Sequence, residues 1–423
     1  LAAGRPPFYE PGLAELLERV TREGCLRFAV APASEQLARA ELHFITVGTP
    51  QSDDGSADLS HVEAAVEALR GALPAGSGAV VVGKSTVPVG TASRLAESLA
   101  PRGAALVWNP EFLREGRAVE DTLHPDRIVY GLPGDPVLAR RGQEALDAVY
   151  APLLAEGVPR IVTNHPTAEL VKVAANSFLA TKISFINAMA EVCEATGGDV
   201  VALAEALGYD ERIGAAFLRA GVGFGGGCLP KDIRAFVARA EELGVREAVS
   251  FLEQVDAINR RRRDRVVALA ERCLGGSPEG ARVVVLGAAF KPDSDDIRAS
   301  PALEVARRLH ERGARVRVCD PRALDAVRRH HRGLETVREP LAALEDADLV
   351  LLLTEWNEFV RLDPDEAADR VATPVVIDGR NALDVRRWRE AGWTHLGLGR
   401  PRLVPALRTR ALRRARSPRK VPR

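Results

Sequence analysis

The segment 221–232, which reads GVGFGGGCLPKD, holds the residues best suited to covalent chemistry. Five glycines in its first seven positions allow the backbone to approach a ligand closely or to adopt positive φ. Pro230 suits the first turn of a helix, so Cys228 is predicted to lie at a helix N-terminus with Lys231 one turn away. Both neighbours lower a thiol pKa, and the thiolate is the nucleophile. We therefore predict a reactive Cys228, although a lone cysteine is more often a small buried hydrophobic residue.

Two polar side chains share one face of a long predicted helix. Lys172 and Asn176 are four residues apart in an unbroken helical pattern over 166–196, which Gly197 and Gly198 end. A cation and an amide donor stabilise an alkoxide or a tetrahedral oxyanion, whereas such a pair in isolation belongs to a solvated helix face. At 1.5 Å per residue, roughly 30 residues span about 45 Å. We predict that this helix connects two domains and forms the interface of a homodimer or a higher homo-oligomer.

Alternating strands and helices flank this central region on both sides. Near-continuous apolar strands with helices between them are typical of α/β proteins with a parallel sheet covered on both faces. In the first part the predicted strands are 42–48, 79–85, 105–108 and 127–131, with helices such as 59–73 and 91–99. After a second helical segment to about residue 274, the predicted strands are 282–287, 315–320, 348–354 and 374–378. The fold class is therefore α/β, with two Rossmann-like domains at 1–162 and 275–401 joined by a central helical domain at 163–274.

Charge and composition exclude several classes of protein. The 423 residues carry 58 basic and 58 acidic side chains, but nine basic and no acidic residues fall within 402–423, so 1–401 is net acidic. This tail lacks an apolar period and is predicted to be disordered, and nonspecific nucleic-acid binding through it is an alternative function.

No apolar run is long enough for a membrane span. The five scattered cysteines form no C-x-x-C pair, which favours a reducing, cytoplasmic compartment and no metal site.

Motifs spread over most of the chain resemble those of the UDP-glucose/GDP-mannose 6-dehydrogenase family. In chain order they are PFYEPG at 7–12, VGTP at 47–50, KSTVPVG at 84–90, NPEFLREG at 109–116, LHPDR at 123–127, KVAAN at 172–176, the cysteine segment, FK at 290–291 and DGRN at 378–381. The resemblance implies an NAD-dependent oxidation of a sugar C6 alcohol to a carboxylate, with two hydride transfers. Cys228 would add to the intermediate aldehyde, the thiohemiacetal would be oxidised to a thioester, and water would release the acid.

The resemblance also assigns roles to individual residues. It implies catalytic roles for Cys228, Lys172, Asn176, Asp232, Thr86 and Glu111, with Glu111 as general base in hydrolysis. It implies NAD contacts for Thr49, Thr86, Glu115, Lys231 and Arg298. It implies nucleotide-sugar contacts for Glu111, Phe112, Leu113, Lys172, Asn176, Arg212, Phe217, Leu218, Arg219, Gly221, Gly225, Lys291 and Arg380, of which Arg212 would reach the substrate of a partner subunit.

The substrate follows from the form of the motifs. The cysteine segment, NPEFLREG and LHPDR look most like the UDP-glucose branch, although Gly227 stands where many members have serine. GDP-mannose and N-acetylated UDP-sugars are the alternative substrates. The alternative to an enzyme is a truncated, non-catalytic protein that binds a nucleotide sugar.

One part of the family pattern is not found. The sequence begins part-way into that pattern, without the G-x-G-x-x-G turn and the first two strands. In a sheet ordered 3-2-1-4-5-6 these strands lie between strand 3, predicted here at 26–31, and strand 4 at 42–48. We therefore expect the first domain of these 423 residues to be N-terminally incomplete, with 42–48 as an edge, and to fold poorly and bind NAD weakly.

Overall fold

Two α/β units flank a group of long helices in the computed structural model, which describes residue 1, residues 4–30 and residues 34–401. The tail at 402–423, predicted to be disordered, lies outside the described residues. Within those ranges, no helix combines the length and apolar character needed to span a bilayer.

The first unit is a five-stranded sheet with helices on both faces. In chain order it comprises α1 (Leu13–Arg22), α2 (Ser34–Arg39), β1 (Leu42–Ile45), α3 (Ser60–Ala72), β2 (Val80–Gly83), α4 (Thr91–Leu99), β3 (Ala105–Trp108), α5 (Ala118–Leu123), β4 (Ile128–Leu132), α6 (Pro136–Val149), α7 (Ala151–Ala155) and β5 (Arg160–Asn164). The strand order is β1-β2-β3-β4-β5, so β1 lies at an edge of the described sheet. Strands β1–β3 are parallel to one another, as are β4 and β5, but Trp108 pairs antiparallel with Gly131, so the sheet is mixed.

The apolar runs predicted as strands form the centre of this sheet. Every residue of β2 and of β3 is buried, as expected for strands covered on both faces. The strand predicted at 26–31 is wrong: residues 26–30 form no strand, and Leu26, Phe28 and Val30 are exposed. A strand needs a neighbour to satisfy its backbone groups, and in the described part of the chain no strand lies beside this segment.

The central helices are α8 (His165–Thr196), α9 (Val200–Gly208), α10 (Leu229–Glu242) and α11 (Phe251–Cys273). Asn164 caps the start of α8 by accepting from the backbone N–H of Thr167, and Gly197 ends the helix with φ of 80°. The predicted long helix is thus confirmed. The predicted domain boundary between residues 162 and 163 falls inside β5, the strand that precedes α8. Glu169 of α8 docks this helix on the first unit because its carboxylate accepts from the backbone N–H groups of Gly90 and Ala92, at 2.7 and 2.6 Å.

The C-terminal unit is a six-stranded, wholly parallel sheet in the order β11-β10-β9-β6-β7-β8. Its elements are β6 (Arg282–Leu286), α12 (Pro301–Glu311), β7 (Arg315–Cys319), α13 (Leu324–His330), β8 (Glu335–Thr336), α14 (Pro340–Ala343), β9 (Leu349–Leu352), α15 (Asn357–Val360), α16 (Pro364–Arg370), β10 (Val375–Asp378), α17 (Val385–Glu390) and β11 (Thr394–Gly397). The four predicted strands are confirmed with slightly shorter bounds. The edge strands β8 and β11 were not predicted, because neither has an apolar run.

Candidate active site

The glycine-rich segment 221–227 leads from the central helices to Cys228 and is held along its length by side chains. Three arginines donate to its carbonyl oxygens: Arg262 Nε to Gly221 at 3.1 Å, Arg380 Nη1 to Gly223 at 3.0 Å and Arg263 Nη2 to Phe224 at 3.1 Å. Gly223 has φ of 104°, and a Cβ there would lie 2.4 Å from Asn259 Oδ1. The glycine at this position is therefore required both by its backbone conformation and by close packing. The loop that carries Cys228 is therefore fixed to α11 and to the segment that follows β10.

Cys228 lies where the sequence predicted, directly before α10, with Pro230 in the first turn of the helix. The predicted lowering of its thiol pKa is wrong. Although Cys228 is an exposed residue, burial of its sulfur in the cleft is the largest cause that raises its pKa. The carboxylate of Asp232 adds to this effect, Lys172 opposes it, and Glu115 and Glu111 raise the pKa slightly further. The thiol is therefore the resting form near neutral pH.

Lys231 does not offset these carboxylates because it is already paired. Its Nζ lies 2.7 Å from Asp232 Oδ1, and the other oxygen of Asp232 accepts from Asn176 Nδ2, also at 2.7 Å. Asp232 is 2% exposed, so a buried carboxylate without these two donors would be strongly destabilising. The sequence predicted Asp232 beside a helix terminus, and the structure joins it to Asn176 of α8.

Lys172 is a buried cation on the same face of α8. Its side chain is 7% exposed, and its Nζ lies 3.0 Å from Glu111 Oε1. The second oxygen of Glu111 accepts from the backbone N–H of Leu113 at 2.6 Å. The ring of Phe112 lies 5.7 Å from the Lys172 ammonium and 4.0 Å from the Arg127 guanidinium. The loop after β3 therefore brings Glu111, Phe112 and Leu113 to the lysine.

Two threonines follow the parallel strands β1 and β2 at the same end of the sheet. Thr49 is buried, and its hydroxyl donates to the backbone carbonyl of Thr86 at 2.8 Å. Thr86 in turn lines a small cavity together with Lys231 and Asp232. The six predicted catalytic residues are thus connected to one another: Asn176 contacts Asp232, Lys172 contacts Glu111, Thr86 lines a cavity with Asp232, and Cys228 interacts electrostatically with Asp232, Lys172 and Glu111. We refer to this group of residues as the cleft.

The C-terminal unit closes this cleft from the other side. Arg298 Nη2 lies 3.2 Å from Glu115 Oε1, and Ser294 Oγ donates to the other oxygen of Glu115 at 3.3 Å. Burial, followed by the nearby Asp296 carboxylate, raises the pKa of Glu115. Burial also lowers the pKa of Lys291, which Glu115 partly offsets. Glu115, Arg298 and Lys291 therefore meet where the two α/β units face each other.

The remaining predicted substrate residues lie outside this cluster. The buried Leu218, the exposed Arg219, and Gly221 line a second cavity with Arg380. Gly225 is buried against the C-terminal unit, where its Cβ would meet the carbonyl oxygen of Ala299 at 2.3 Å. The remaining two are exposed: Phe217, which has φ of 65°, and Arg212, which pairs with Asp210.

Arg380 was predicted to contact substrate, but its guanidinium group is engaged within the protein. Besides the Gly223 carbonyl, it donates to the carbonyl oxygens of Leu353 at 2.7 Å and Phe290 at 3.2 Å. Its Nε also lies 3.3 Å from the Glu355 carboxylate. All three guanidinium nitrogens therefore already have partners. In this arrangement Arg380 ties three segments together rather than presenting free donors to a diphosphate.

One group beside the cleft was missed by the sequence reasoning. Lys84 donates to Asn109 Oδ1 at 3.0 Å and to the Tyr150 hydroxyl at 3.2 Å, and that hydroxyl donates to the same Oδ1 at 2.6 Å. Burial lowers the pKa of Lys84 to about 8. Lys84 and Asn109 begin two of the motifs noted above, immediately after buried strands. Tyr150 lies far along the chain and had no comparable signal.

Comparison with known proteins gives one family for all three parts of the chain. The NAD binding domain of the UDP-glucose/GDP-mannose dehydrogenase family matches residues 1–154. The central domain of the same family matches residues 166–261, and its UDP binding domain matches residues 284–385. These three matches follow the order of the α/β unit, the long helices and the second α/β unit.

Individual relatives are similar over nearly the whole chain. The UDP-glucose 6-dehydrogenase of Rhizobium meliloti (strain 1021) is 40% identical over 406 residues, which cover 95% of this chain and 91% of that protein. The UDP-glucose 6-dehydrogenase of Pseudomonas aeruginosa (strain PAO1) is 41% identical over 416 residues, covering 95% and 90%. Among solved structures, a UDP-glucose dehydrogenase from the hyperthermophilic archaeon Pyrobaculum islandicum is similar with a TM-score of 0.83 and 41% identity, covering 94% of this chain and 89% of that one.

Proposed function

This chain belongs to the UDP-glucose/GDP-mannose dehydrogenase family and is an NAD-dependent nucleotide-sugar dehydrogenase, and we propose that it oxidises UDP-glucose at C6 to UDP-glucuronate. The observation that carries the proposal is the proximity of Cys228 to the charges of Lys172, Asp232 and Glu111, in a chain whose two α/β units match the family's NAD binding and UDP binding domains. The chain is 40% and 41% identical to two enzymes named UDP-glucose 6-dehydrogenase, and this identity supports UDP-glucose over GDP-mannose as the substrate.

The carboxyl ends of β1 and β2 offer a donor set that fits NAD. Thr49 and Thr86 lie side by side there, and open α/β sheets bind nucleotide cofactors at this edge. We assign the cofactor contacts to Thr49, Thr86, Glu115, Lys231 and Arg298. NAD held by these residues would supply the oxidising chemistry, and one NAD would be consumed in each of the two oxidations.

The first oxidation needs a proton acceptor and a stabilised oxygen. Lys172 supplies a buried ammonium group and Asn176 an amide, both from one face of α8. These groups stabilise the alkoxide that precedes hydride loss, because a fixed cation in a site of low dielectric interacts strongly with developing charge. Asp232, held by Lys231 and Asn176, receives the alcohol proton.

The second oxidation needs a tetrahedral carbon, which forms when Cys228 adds to the aldehyde. A bond forms between Cys228 Sγ and the aldehyde carbon, and the thiol proton passes to the aldehyde oxygen beside Lys172. Loss of the second hydride, together with release of the hydroxyl proton to solvent, leaves a thioester.

Hydrolysis completes the reaction and restores the thiol. Glu111 removes a proton from water as the water attacks the thioester carbon, and the C–S bond breaks with return of a proton to Cys228 Sγ. The contact between Lys172 Nζ and Glu111 Oε1, at 3.0 Å, supports a base and an oxyanion donor that act on the same carbon.

The substrate assignment is tested by NADH stoichiometry with different sugars. The purified protein, given NAD and UDP-glucose, is expected to form two NADH per sugar. For GDP-mannose and UDP-N-acetylmannosamine we expect kcat/KM values at least about 10-fold lower, because a misfit in the sugar and base pockets costs about 1–3 kcal/mol. A higher kcat/KM for either alternative would overturn the substrate assignment, and one NADH per UDP-glucose would count against the cysteine relay.

We further propose that α8 forms a homodimer interface. Phe178, Phe185 and Val192 recur at seven-residue spacing on one face and are 67%, 48% and 52% exposed. Lys182 ties the neighbouring segment to this face by donating to the carbonyl of Ile213 at 2.8 Å. A contiguous exposed apolar face of this kind is typical of subunit interfaces. The exposed Arg212 projects from this segment, which supports its reaching the cleft of the partner subunit.

The interface is tested by charged substitutions on α8. The double variant Phe178→Glu, Phe185→Glu is expected to halve the mass measured by light scattering, because two buried carboxylates per subunit would face an apolar partner surface. Val137→Glu, which alters an equally exposed apolar side chain on α6, should leave the mass unchanged. A dimer that persists in the α8 variant would place the interface elsewhere.

A further inference from the structure

Asn109, the first residue after β3, is bonded to the strands on both sides of it. Asn109 is 1% exposed, and its Nδ2 donates to the carbonyl oxygen of Val129 in β4 at 2.9 Å. Its backbone N–H donates to the carbonyl oxygen of Gly83, the last residue of β2, at 2.8 Å. In the described chain the ladder between β3 and β4 is a single pair, Trp108 with Gly131, so the Asn109 side chain extends the connection between these strands.

The side-chain oxygen of Asn109 is held from outside the sheet by Lys84 and Tyr150. Lys84 Nζ donates to this oxygen at 3.0 Å, and the Tyr150 hydroxyl donates to it at 2.6 Å. Lys84 Nζ also donates to the Tyr150 hydroxyl at 3.2 Å, so the three side chains form a closed triangle. At pH 7 most of Lys84 carries a charge, because burial lowers its pKa only to about 8. A charged donor makes a stronger hydrogen bond than a neutral one, so the position of Asn109 is firmly determined.

One residue, Pro110, separates Asn109 from Glu111. The proline ring restricts φ to about −65°, so the direction in which the chain leaves Asn109 determines where Glu111 lies. Glu111 Oε1 in turn lies 3.0 Å from Lys172 Nζ. Lys84 also interacts electrostatically with both Glu111 and Lys172. A displacement of Asn109 therefore moves the Glu111 carboxylate relative to the cation with which it acts.

We propose that Lys84 and Tyr150 are positioning residues for thioester hydrolysis, because they hold Asn109 and with it the Glu111 carboxylate in the place from which it removes a proton from water. This role rests on the proposed function, in which Glu111 is the base of the hydrolysis step. The two hydride transfers do not use Glu111 as a base. Loss of either positioning side chain should therefore slow hydrolysis and leave both hydride transfers nearly unchanged.

The test is the time course of NADH formation in Lys84→Met and Tyr150→Phe, followed at 340 nm after rapid mixing of the purified protein with NAD and UDP-glucose at pH 7. The steady-state rate should fall by about 10- to 100-fold in Lys84→Met and by about 3- to 10-fold in Tyr150→Phe, because a small displacement of a catalytic group costs rate of this order. In both variants two NADH per active site should form at the normal rate before the slow phase. Mass spectrometry of quenched Lys84→Met should show the thioester on Cys228 in most molecules.

Combination with Glu111→Gln separates positioning from damage to the fold. Lys84→Met with Glu111→Gln should be no more than about twofold slower than Glu111→Gln alone, because both changes act through the same base. Tyr209→Phe is the matched control for Tyr150→Phe, since Tyr209 is 80% exposed at the end of α9, and it should stay within about twofold of the normal rate. Tyr150→Phe keeps the ring and its packing, so it decides the question if Lys84→Met does not fold.

The possible failures are distinguishable. Equal slowing of the first two NADH and of the steady state in either variant, or additive effects of Lys84→Met and Glu111→Gln, would overturn the positioning role. Normal turnover in both Lys84→Met and Tyr150→Phe would do the same. Absence of both NADH and the thioester in the unmodified protein would refute the proposed function and, with it, this role.

Discussion

Replacing Cys228 with serine is expected to lower the rate of UDP-glucuronate formation by at least about 1,000-fold. Serine has no comparable nucleophilicity at neutral pH, so the aldehyde would not be converted to the tetrahedral adduct that gives up the second hydride. The cleft groups around Cys228 stay in place, since serine is nearly isosteric with cysteine. Rapid mixing of enzyme, NAD and UDP-glucose, followed at 340 nm, should give at most one NADH per sugar in the variant and two in the unmodified protein.

Cys25→Ser is the matched control for this experiment. Cys25 is the other exposed cysteine of the described residues and lies between α1 and α2, outside the cleft. Its replacement should leave kcat within about twofold, as is usual for surface substitutions. If Cys228→Ser still released two NADH per sugar at more than about a tenth of the normal rate, the covalent route would be wrong.

Replacing Lys172 with methionine is expected to reduce kcat by about 100- to 1,000-fold with little change in KM, because the ammonium group acts on charge that develops in the transition state. The side chain is 7% exposed and 3.0 Å from Glu111, so no solvent cation takes its place. Steady-state kinetics with UDP-glucose measure both constants.

Two further variants separate catalysis from simple charge balance. Lys172→Met also leaves Glu111 without its partner, and an unpaired carboxylate in the cleft harms activity by itself. Lys172→Met combined with Glu111→Gln removes that carboxylate together with the proposed base, so its kcat is compared with that of Glu111→Gln alone and should be at least about 10-fold lower. A double variant no slower than Glu111→Gln alone would mean that Lys172 serves only to neutralise Glu111. Lys172→Arg should recover part of the lost rate, because it restores the charge.

Local patterns predicted most of the elements because the signal for each is contained in a few adjacent residues. The buried run ALVW at 105–108 and the helix at 91–99 have the predicted bounds. The segment 26–31 has a comparable alternation of apolar residues but is not a strand over 26–30, because strand formation depends on a neighbour that the segment itself cannot specify. For the same reason the antiparallel contact between Trp108 and Gly131 was not predicted.

The positions of the candidate site residues were more predictable than the pKa shifts that their surroundings cause. Cys228, Lys231 and Asp232 lie within five consecutive residues, and their position at the start of α10 was predicted. The pKa of the thiol was predicted wrongly. Lys231 is paired with Asp232, and the carboxylates of the loop after β3, which raise the thiol pKa, come from another part of the chain. The partners of Arg380, and the contact of Tyr150 with Lys84, depend on the fold in the same way.

The arginine contacts along segment 221–227 have an energetic consequence for binding. Ordering a backbone residue costs about 1–2 kcal/mol of conformational entropy, and glycine loses the most. In this protein that entropy is lost on folding, because Arg262, Arg263 and Arg380 hold three carbonyls of the loop through contacts within the chain. A nucleotide sugar therefore meets a loop that is held in place despite its glycines, and little of the binding free energy is needed to order the segment before Cys228.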